Sequence, residues 1–147
     1  MQATLRRMQA KRAVGDRGFT LIELLVVVVI IGVLVAIAIP LYLNYKKGAE
    51  DKSAQSDVRN AVVAVEQCYT DGGNTYPVDA GPGTSNVTVT CTGANGTGTA
   101  ELVVTDGNTL TFDNLGGTPI LYEIIVTNTN TTNTFTYTSV DGKITKS

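Results

Sequence analysis

The sequence contains no histidine and no tryptophan, and charged side chains make up only 16% of its residues. Without histidine the chain lacks the imidazole that most often acts as a general base and that is the commonest metal ligand. Its serine and threonine side chains therefore have no partner of the usual kind to activate them as nucleophiles. We expect a protein that is not an enzyme and that has no cofactor and no metal site.

Positive charge is scarce after the first 17 residues. Of the eleven Lys and Arg residues, five precede residue 18, and the remaining chain has six basic and twelve acidic residues, a formal charge of −6. A nucleic-acid-binding domain usually presents a cationic surface. We therefore expect no specific nucleic-acid partner.

One long apolar segment dominates the sequence. From Leu24 to Ile39 no side chain is polar, and the apolar character continues to Leu43. A helix over residues 19–43 would be about 37 Å long, enough to cross the roughly 30 Å hydrocarbon core of a membrane. Because short basic segments beside such a helix stay in the cytoplasm, we expect a single-pass chain with its N-terminus in the cytoplasm and its C-terminal domain outside.

Two features interrupt this segment. Glu23 is its single carboxylate, and because an ionised side chain at mid-membrane costs roughly 2.5 to 3.5 kcal/mol, we expect Glu23 to have a specific partner. The alternative is that Glu23 lies at headgroup level, or is protonated, and has no role. Pro40 has no N–H to donate to the Ala36 carbonyl, so we expect a kink near Pro40, with Gly32 as a second interruption.

The segment resembles the N-terminus of type IV pilins and of their relatives, the type II secretion pseudopilins. The resemblance lies in a basic leader ending at Gly18, the run Phe19-Thr20-Leu21-Ile22-Glu23-Leu24, the apolar stretch, and Pro40. It is close over residues 17–43 and thin beyond them. It implies that a prepilin peptidase in the membrane cuts after Gly18 and that the new amino terminus, on Phe19, is methylated.

The resemblance also implies a function, that of a structural subunit in a type IV pilus. The implied partners are further copies of the chain, the peptidase, the assembly machinery and the membrane, and the filament would support adhesion, motility or DNA uptake. Glu23 would neutralise the Phe19 amine of a neighbouring subunit, since opposite charges attract strongly at low dielectric. The stretch between Gly32 and Pro40 would lose helical hydrogen bonds as subunits pack.

Two alternatives to the pilus subunit remain open. One is a pseudopilin of a type II secretion system, whose filament stays in the cell envelope. The other is a secreted or membrane-anchored binding module, because Ala36-Ile37-Ala38 has the form of a signal peptidase site, and cleavage there would release a mainly β protein beginning at Ile39. The mature amino terminus distinguishes this last alternative from the other two.

Beyond Leu43, apolar residues recur at spacings of three and four, which predicts an amphipathic helix over residues 44–70. The predicted apolar stripe consists of Ala54, Val58, Ala61, Val62, Val65, Cys68 and Tyr69. The charged residues between them, including Asp57 and Glu66, are predicted to form a solvated face. Gly72 and Gly73 are expected to end the helix, and residues 71–86 are expected to form a loop.

The remainder, residues 87–147, alternates with the period of strands and predicts an antiparallel meander. We expect strands over residues 87–91, 101–105, 109–112, 120–127, 134–138 and 143–146. Asp106-Gly107 and Asp141-Gly142 are strong hairpin signals. One face of the sheet is predicted to cover the helix stripe with Val87, Val89, Leu110, Phe112, Phe135 and Tyr137.

The expected organisation is α+β. A basic leader over residues 1–18 precedes a transmembrane or filament-core helix over 19–43 and an extracytoplasmic domain over 44–147. If that domain is exported, Cys68 and Cys91 should form a disulfide. The bridge would close a loop of about 24 residues and contribute on the order of 3 kcal/mol. Two separate buried thiols, or a redox pair, are the alternatives.

Overall fold

A computed structural model describes residues 18–147, so the predicted leader, apart from Gly18, lies outside the described residues. One long helix, α1, runs Leu21–Asp71. The chain divides into two units, of which the first ends at Tyr42 and the second covers Leu43–Ser147. The strands that follow α1 are β1 (Ala80–Gly83), β2 (Val87–Gly93), β3 (Gly96–Leu102), β4 (Asn108–Gly116), β5 (Leu121–Asn128), β6 (Thr134–Thr138) and β7 (Lys143–Lys146).

These strands form two antiparallel sheets in the second unit. The larger sheet has the order β1-β4-β5-β6-β7, and β2 and β3 pair only with each other. The strands β4 to β7 form the predicted meander. At its last turn Thr138 pairs with Lys143, so Asp141-Gly142 joins β6 to β7 as a hairpin, as predicted. The α+β class, with a long N-terminal helix followed by antiparallel strands, is confirmed.

The core of the second unit lies between α1 and both sheets. The helix contributes most of the predicted stripe, with Ala54, Val58, Ala61, Val65 and Cys68 fully buried. Burial of such side chains supplies roughly 25 cal/mol per Å² of apolar surface removed from water. The sheets contribute Val89, Cys91, Leu102, Leu110, Phe112, Tyr122, Ile124, Val126 and Phe135.

The predicted disulfide between Cys68 and Cys91 is present, and it joins the last turns of α1 to β2 with the two Cα atoms 5.7 Å apart. The backbones approach closely beside it. A Cβ at Gly98 would lie 2.8 Å from the Cys68 carbonyl oxygen, and one at Gly93 would lie 2.5 Å from the Gly72 carbonyl oxygen. Only glycine allows the end of α1 to lie this close to the β2–β3 hairpin.

The predicted loop over residues 71–86 is wrong in one part, because it contains strand β1. Ala80 pairs with Phe112 and Gly83 with Leu110, with an irregularity between the two pairs. Pro82 has no backbone N–H to donate to a neighbour. It is tolerated because β1 is an edge strand of the larger sheet.

The predicted strand over residues 101–105 and the hairpin at Asp106-Gly107 are also wrong. Strand β3 ends at Leu102, and Asp106-Gly107 joins two different sheets instead of two paired strands. The hairpin partner of β3 is β2, through a turn at Ala94-Asn95. The Thr105 N–H donates to a carboxylate oxygen of Asp57 at 2.8 Å. This N–H is therefore not available for a hydrogen bond to a neighbouring strand.

The prediction that Asp57 lies on a solvated face is wrong, since it is only 1% exposed. Its carboxylate accepts hydrogen bonds from the Thr105 N–H at 2.8 Å, the Thr105 hydroxyl at 2.8 Å and the Asn108 side-chain amide at 2.7 Å. The Asn108 side-chain oxygen in turn accepts from the Asn128 amide at 2.7 Å. Asp57 therefore ties α1 to the start of β4 and, through Asn108, to the end of β5.

Replacing Asp57 by alanine should destabilise the second unit by about 2 to 4 kcal/mol, because the buried Asn108 amide and the Thr105 N–H and hydroxyl would lose their acceptor. The measurement is urea unfolding of the full chain in detergent micelles, followed by the near-ultraviolet circular dichroism of the buried tyrosine. Asp106→Ala, which removes an exposed acid from the same connection, should change the unfolding free energy by less than about 0.5 kcal/mol. Equal stabilities for the two variants would contradict the assigned role of Asp57.

Candidate functional site

The residues that point to function lie at the start of α1. Gly18, Phe19 and Thr20 precede the helix and are not helical. The first N–H groups of any helix lack partners within the helix. Here the Glu23 N–H donates to the Thr20 hydroxyl oxygen at 3.3 Å, and the Thr20 N–H donates to Glu23 Oε2 at 2.9 Å. This reciprocal pair is a capping box, with Thr20 as the N-cap residue.

Thr20 is also a local partner for the Glu23 carboxylate. The Thr20 hydroxyl donates to Glu23 Oε2 at 2.7 Å, in addition to the N–H bond to the same oxygen. The other oxygen, Oε1, accepts no hydrogen bond from any residue between 18 and 147. The sequence signal for this arrangement is the Thr-x-x-Glu spacing, which the sequence-based interpretation of Glu23 did not use. One carboxylate oxygen is therefore engaged at the helix end, and the other can meet a further donor.

The predicted cleavage bond between Gly18 and Phe19 lies in the non-helical segment before α1. The Phe19 side chain is 84% exposed, and Gly18 is exposed as well. A Cβ at Gly18 would meet no atom within 4 Å. Packing among residues 18–147 therefore does not require glycine at this position, and the backbone on both sides of the bond is accessible to another molecule.

The apolar side chains of α1 in the first unit have no cover within the described chain. All residues from Leu21 to Tyr42 are exposed. Within residues 18–147, α1 is the one helix long and apolar enough to cross a membrane, judged by length and composition. Transfer of this surface out of water is strongly favourable. The segment therefore needs a membrane or other apolar helices around it.

Gly32 and Pro40 both lie inside α1, which continues through them. A Cβ at Gly32 would meet no atom within 4 Å. Glycine in a helix interior costs about 1 kcal/mol relative to alanine, and nothing in the described chain offsets that cost at Gly32. Pro40 cannot donate to the Ala36 carbonyl. The kink at these positions stays a prediction.

Two further carboxylates on α1 hold the second unit together. Asp51 accepts from the Lys146 ammonium at 2.7 Å and from the Asn133 amide at 2.9 Å, and the hydrogen bond from Lys146 is the main cause that lowers the pKa of Asp51. Glu66 is exposed, as predicted, and its carboxylate accepts from the Tyr122 hydroxyl at 2.6 Å and from the Tyr76 hydroxyl at 3.2 Å. These contacts join α1 to β7 and β5.

Residues 18–147 contain no group of three Asp, Glu, Cys or His side chains placed to hold a metal ion.

The start of the chain matches a known family model. Residues 15–39 match the prokaryotic N-terminal methylation motif. A fimbrial protein of Pseudomonas aeruginosa is 37% identical over 110 residues, which cover 63% of this chain and 70% of that protein. This likeness extends well beyond the apolar segment.

Other relatives are similar over a shorter part of the chain. The type IV major fimbrial protein FimA of Dichelobacter nodosus is 47% identical over 57 residues, 39% of this chain and 36% of FimA. The type IV major pilin protein PilA of Myxococcus xanthus is 38% identical over 56 residues, 38% of this chain and 26% of PilA. The match thus spans little more than a third of the length of FimA. No solved structure matches the chain.

Thr20→Val removes the capping hydroxyl at nearly constant volume and should destabilise the first turn of α1 by about 1 kcal/mol. In detergent micelles the Glu23 amide should then exchange its hydrogen about fivefold faster. Thr20→Ser keeps the hydroxyl and should preserve the wild-type exchange rate. Wild-type protection of the Glu23 amide in Thr20→Val would show that the capping box does not stabilise the helix start.

Proposed function

We propose, on the premise that the chain belongs to the type IV pilin family, that it is a structural subunit of a type IV pilus, assembled from a membrane-held precursor. The observation that carries the proposal is the uncovered apolar helix from Leu21 to Tyr42, followed in the same helix by a segment with its own packed core. In a subunit built this way, the apolar part of α1 can leave the lipid and pack against the helices of neighbouring subunits while the second unit stays folded. Further copies of the chain are therefore its main partners.

The precursor is held in the cell membrane by α1, with the basic leader in the cytoplasm and the second unit outside. A prepilin peptidase cuts between Gly18 and Phe19, and the new amine on Phe19 is methylated. The exposure of both residues ahead of the helix supports this assignment, as does the absence, among residues 18–147, of any contact that would require glycine at position 18. The mature subunit then enters an extracellular filament with the help of the pilus assembly machinery.

Cleavage places a cationic amine one residue before Thr20 and four before Glu23. In the filament the free oxygen of the Glu23 carboxylate meets the Phe19 amine of a neighbouring subunit. Apolar helices packed side by side have little hydrophobic reason to choose one register, whereas a buried charge pair penalises every register that leaves it unpaired. The capping bonds from Thr20 hold the carboxylate at the helix end, where it has to be for this contact.

Gly32 and Pro40 have roles in the same packing. A residue without a side chain lets two apolar helices approach closely, which accounts for a glycine at position 32, where an added Cβ would meet no atom of residues 18–147 within 4 Å. Pro40 leaves one helical carbonyl free and so weakens the helix near residue 36. This is where α1 gives up hydrogen bonds when subunits pack and the filament bends.

The first experiment on this proposal is intact-mass analysis of the native protein. We expect a chain that begins with methylated Phe19, and we expect Gly18→Val to accumulate as uncleaved precursor. A terminus at Ile39 would establish a secreted protein and remove the filament subunit from consideration. A mature chain that begins at Phe19 in Gly18→Val would show that Gly18 is not what the peptidase requires.

The second experiment separates the charge of Glu23 from its capping role. Glu23→Gln keeps an acceptor for Thr20, because glutamine also serves in a capping box, but it removes the charge. The variant should be inserted, cleaved and oxidised normally and yet give several-fold less sheared surface filament relative to membrane-held subunit. Glu101→Gln, an exposed position on β3, is the matched control and should assemble as the wild type does. Wild-type filament yield from Glu23→Gln at equal subunit levels would rule out the charge pair.

A further inference from the structure

The second unit has an open pocket at the far end of α1. It has a volume of about 470 Å³ and is lined by Tyr69, Tyr76, Gly117, Thr118, Pro119 and Ile120. The two tyrosines come from the end of α1 and the segment after it, and the other four residues form the connection between β4 and β5. The volume falls within the range of about 300 to 1,000 Å³ typical of small-molecule sites. We call this the tyrosine pocket.

One wall of the tyrosine pocket is a fixed stack of rings. Tyr69 stacks on Tyr76 with ring centroids 4.3 Å apart, and Tyr76 packs against the buried Tyr122 at 4.9 Å. The Tyr76 and Tyr122 hydroxyls both donate to Glu66, which holds the stack in place. Burial, with Glu66 nearby, raises the pKa of Tyr76 to about 12, so its phenol is neutral at physiological pH. Tyr69 is the outermost ring of this stack.

The opposite wall of the tyrosine pocket contains polar groups that can form hydrogen bonds to a ligand. Residues 117–120 are exposed, and the Thr118 hydroxyl makes no hydrogen bond to any residue between 18 and 147. Pro119 and Ile120 add apolar surface beside it. The pocket thus combines an aromatic platform with a hydroxyl and the backbone groups of a loop.

The lining also restricts the charge of a ligand. None of the six lining residues is charged, so no cation is present to bind a phosphate or carboxylate. A quaternary ammonium is recognised by several free ring faces, but only two of the six lining residues are aromatic, and these two, Tyr69 and Tyr76, are stacked on each other. The ligand that fits is neutral, has one apolar face to lie on a ring, and carries hydroxyl groups at its edge.

We propose that the tyrosine pocket binds a neutral pyranose sugar, with the apolar C–H face of the sugar ring on Tyr69 and its hydroxyl groups toward Thr118 and the loop backbone. Aromatic rings present a negative face that attracts the weakly positive hydrogens of such C–H groups. The binding would give the subunit a recognition function separate from its role in the filament. It does not depend on assembly.

Saturation-transfer difference NMR tests the proposal on the full chain in dodecylphosphocholine micelles, which contain no sugar headgroup that could compete. The probes are the methyl glycosides of glucose, galactose, mannose and N-acetylgalactosamine, with glycerol as a hydroxyl compound that has no ring face. At least one glycoside should receive saturation at its ring hydrogens, and glycerol should receive none. Absence of transfer to every glycoside at millimolar concentration would overturn the proposal.

Three variants locate the site. Tyr69→Ala should weaken the Kd of the bound glycoside by about tenfold, whereas Tyr69→Phe, which keeps the ring, should stay within about twofold of the wild type. Thr118→Tyr fills the pocket from an exposed loop position and should abolish binding even if Tyr69→Ala is poorly folded. Tyr45→Ala is the control, because Tyr45 is exposed and distant in sequence from the pocket. Binding that is unchanged in both Tyr69→Ala and Thr118→Tyr would place the sugar elsewhere and overturn the proposal.

The filament assay separates this proposal from the proposed function. Tyr69→Phe and Thr118→Tyr should give wild-type filament yields. If no glycoside binds and Thr118→Tyr lowers the filament yield, the pocket holds part of a second copy, and the sugar site is ruled out while the pilus subunit stands. If Glu23→Gln assembles normally and the glycoside still binds at Tyr69, the charge pair fails and the sugar site stands.

Discussion

Contact between one stripe of α1 and two separate sheets is the interaction on which the second unit depends. The sheets share no strand, and each buries its inner residues against the same helix. The larger sheet packs through residues such as Phe112 and Ile124, and the hairpin packs through Val89 and Leu102. Without α1, both sheets would expose their apolar faces to water.

Polar contacts fix where the larger sheet lies along the helix. Asp51, Asp57 and Glu66 lie on α1 at intervals of six and nine residues and contact β7, the start of β4 and the start of β5, respectively. Apolar burial is not directional, so it would tolerate small displacements of the sheet over the helix. A displacement would break the hydrogen bonds of all three carboxylates, and it would leave the charge of Asp57, which is buried, without partners. The three acids therefore set the register that the apolar stripe leaves open.

Much of this fold follows from local patterns in the sequence. The spacing of Ala54, Val58, Ala61 and Val65 predicts the buried helix face, and the alternation in β4 to β6 predicts which residues enter the core. The sequence fails where a long-range contact overrides a local preference. Asp106-Gly107 has the composition of a hairpin turn, but the neighbouring Thr105 backbone bonds to Asp57, 48 residues away. Asp57 itself looks like an ordinary surface acid, because its donors come from an element that the helix pattern does not reveal.

The candidate site at the start of α1 can be predicted from the sequence, whereas the tyrosine pocket cannot. Gly18, Phe19 and Glu23 lie within six consecutive residues, so their relation is local, and even the contact with Thr20 is visible as a Thr-x-x-Glu spacing. The tyrosine pocket brings residue 69 together with residues 117–120. That juxtaposition depends on where the β4–β5 connection lies relative to the end of α1. No periodicity or short motif in the chain contains this information.

The covalent attachment of the β2–β3 hairpin to the rest of the second unit depends on redox conditions. A two-stranded sheet is marginally stable by itself in water, and this one pairs with no other strand. Its covalent attachment is the bridge from Cys91 to Cys68. Thiols stay reduced in the cytoplasm and are oxidised outside it. In a reducing environment the hairpin would lose this bridge and would be held to the rest of the domain only by packing and backbone contacts.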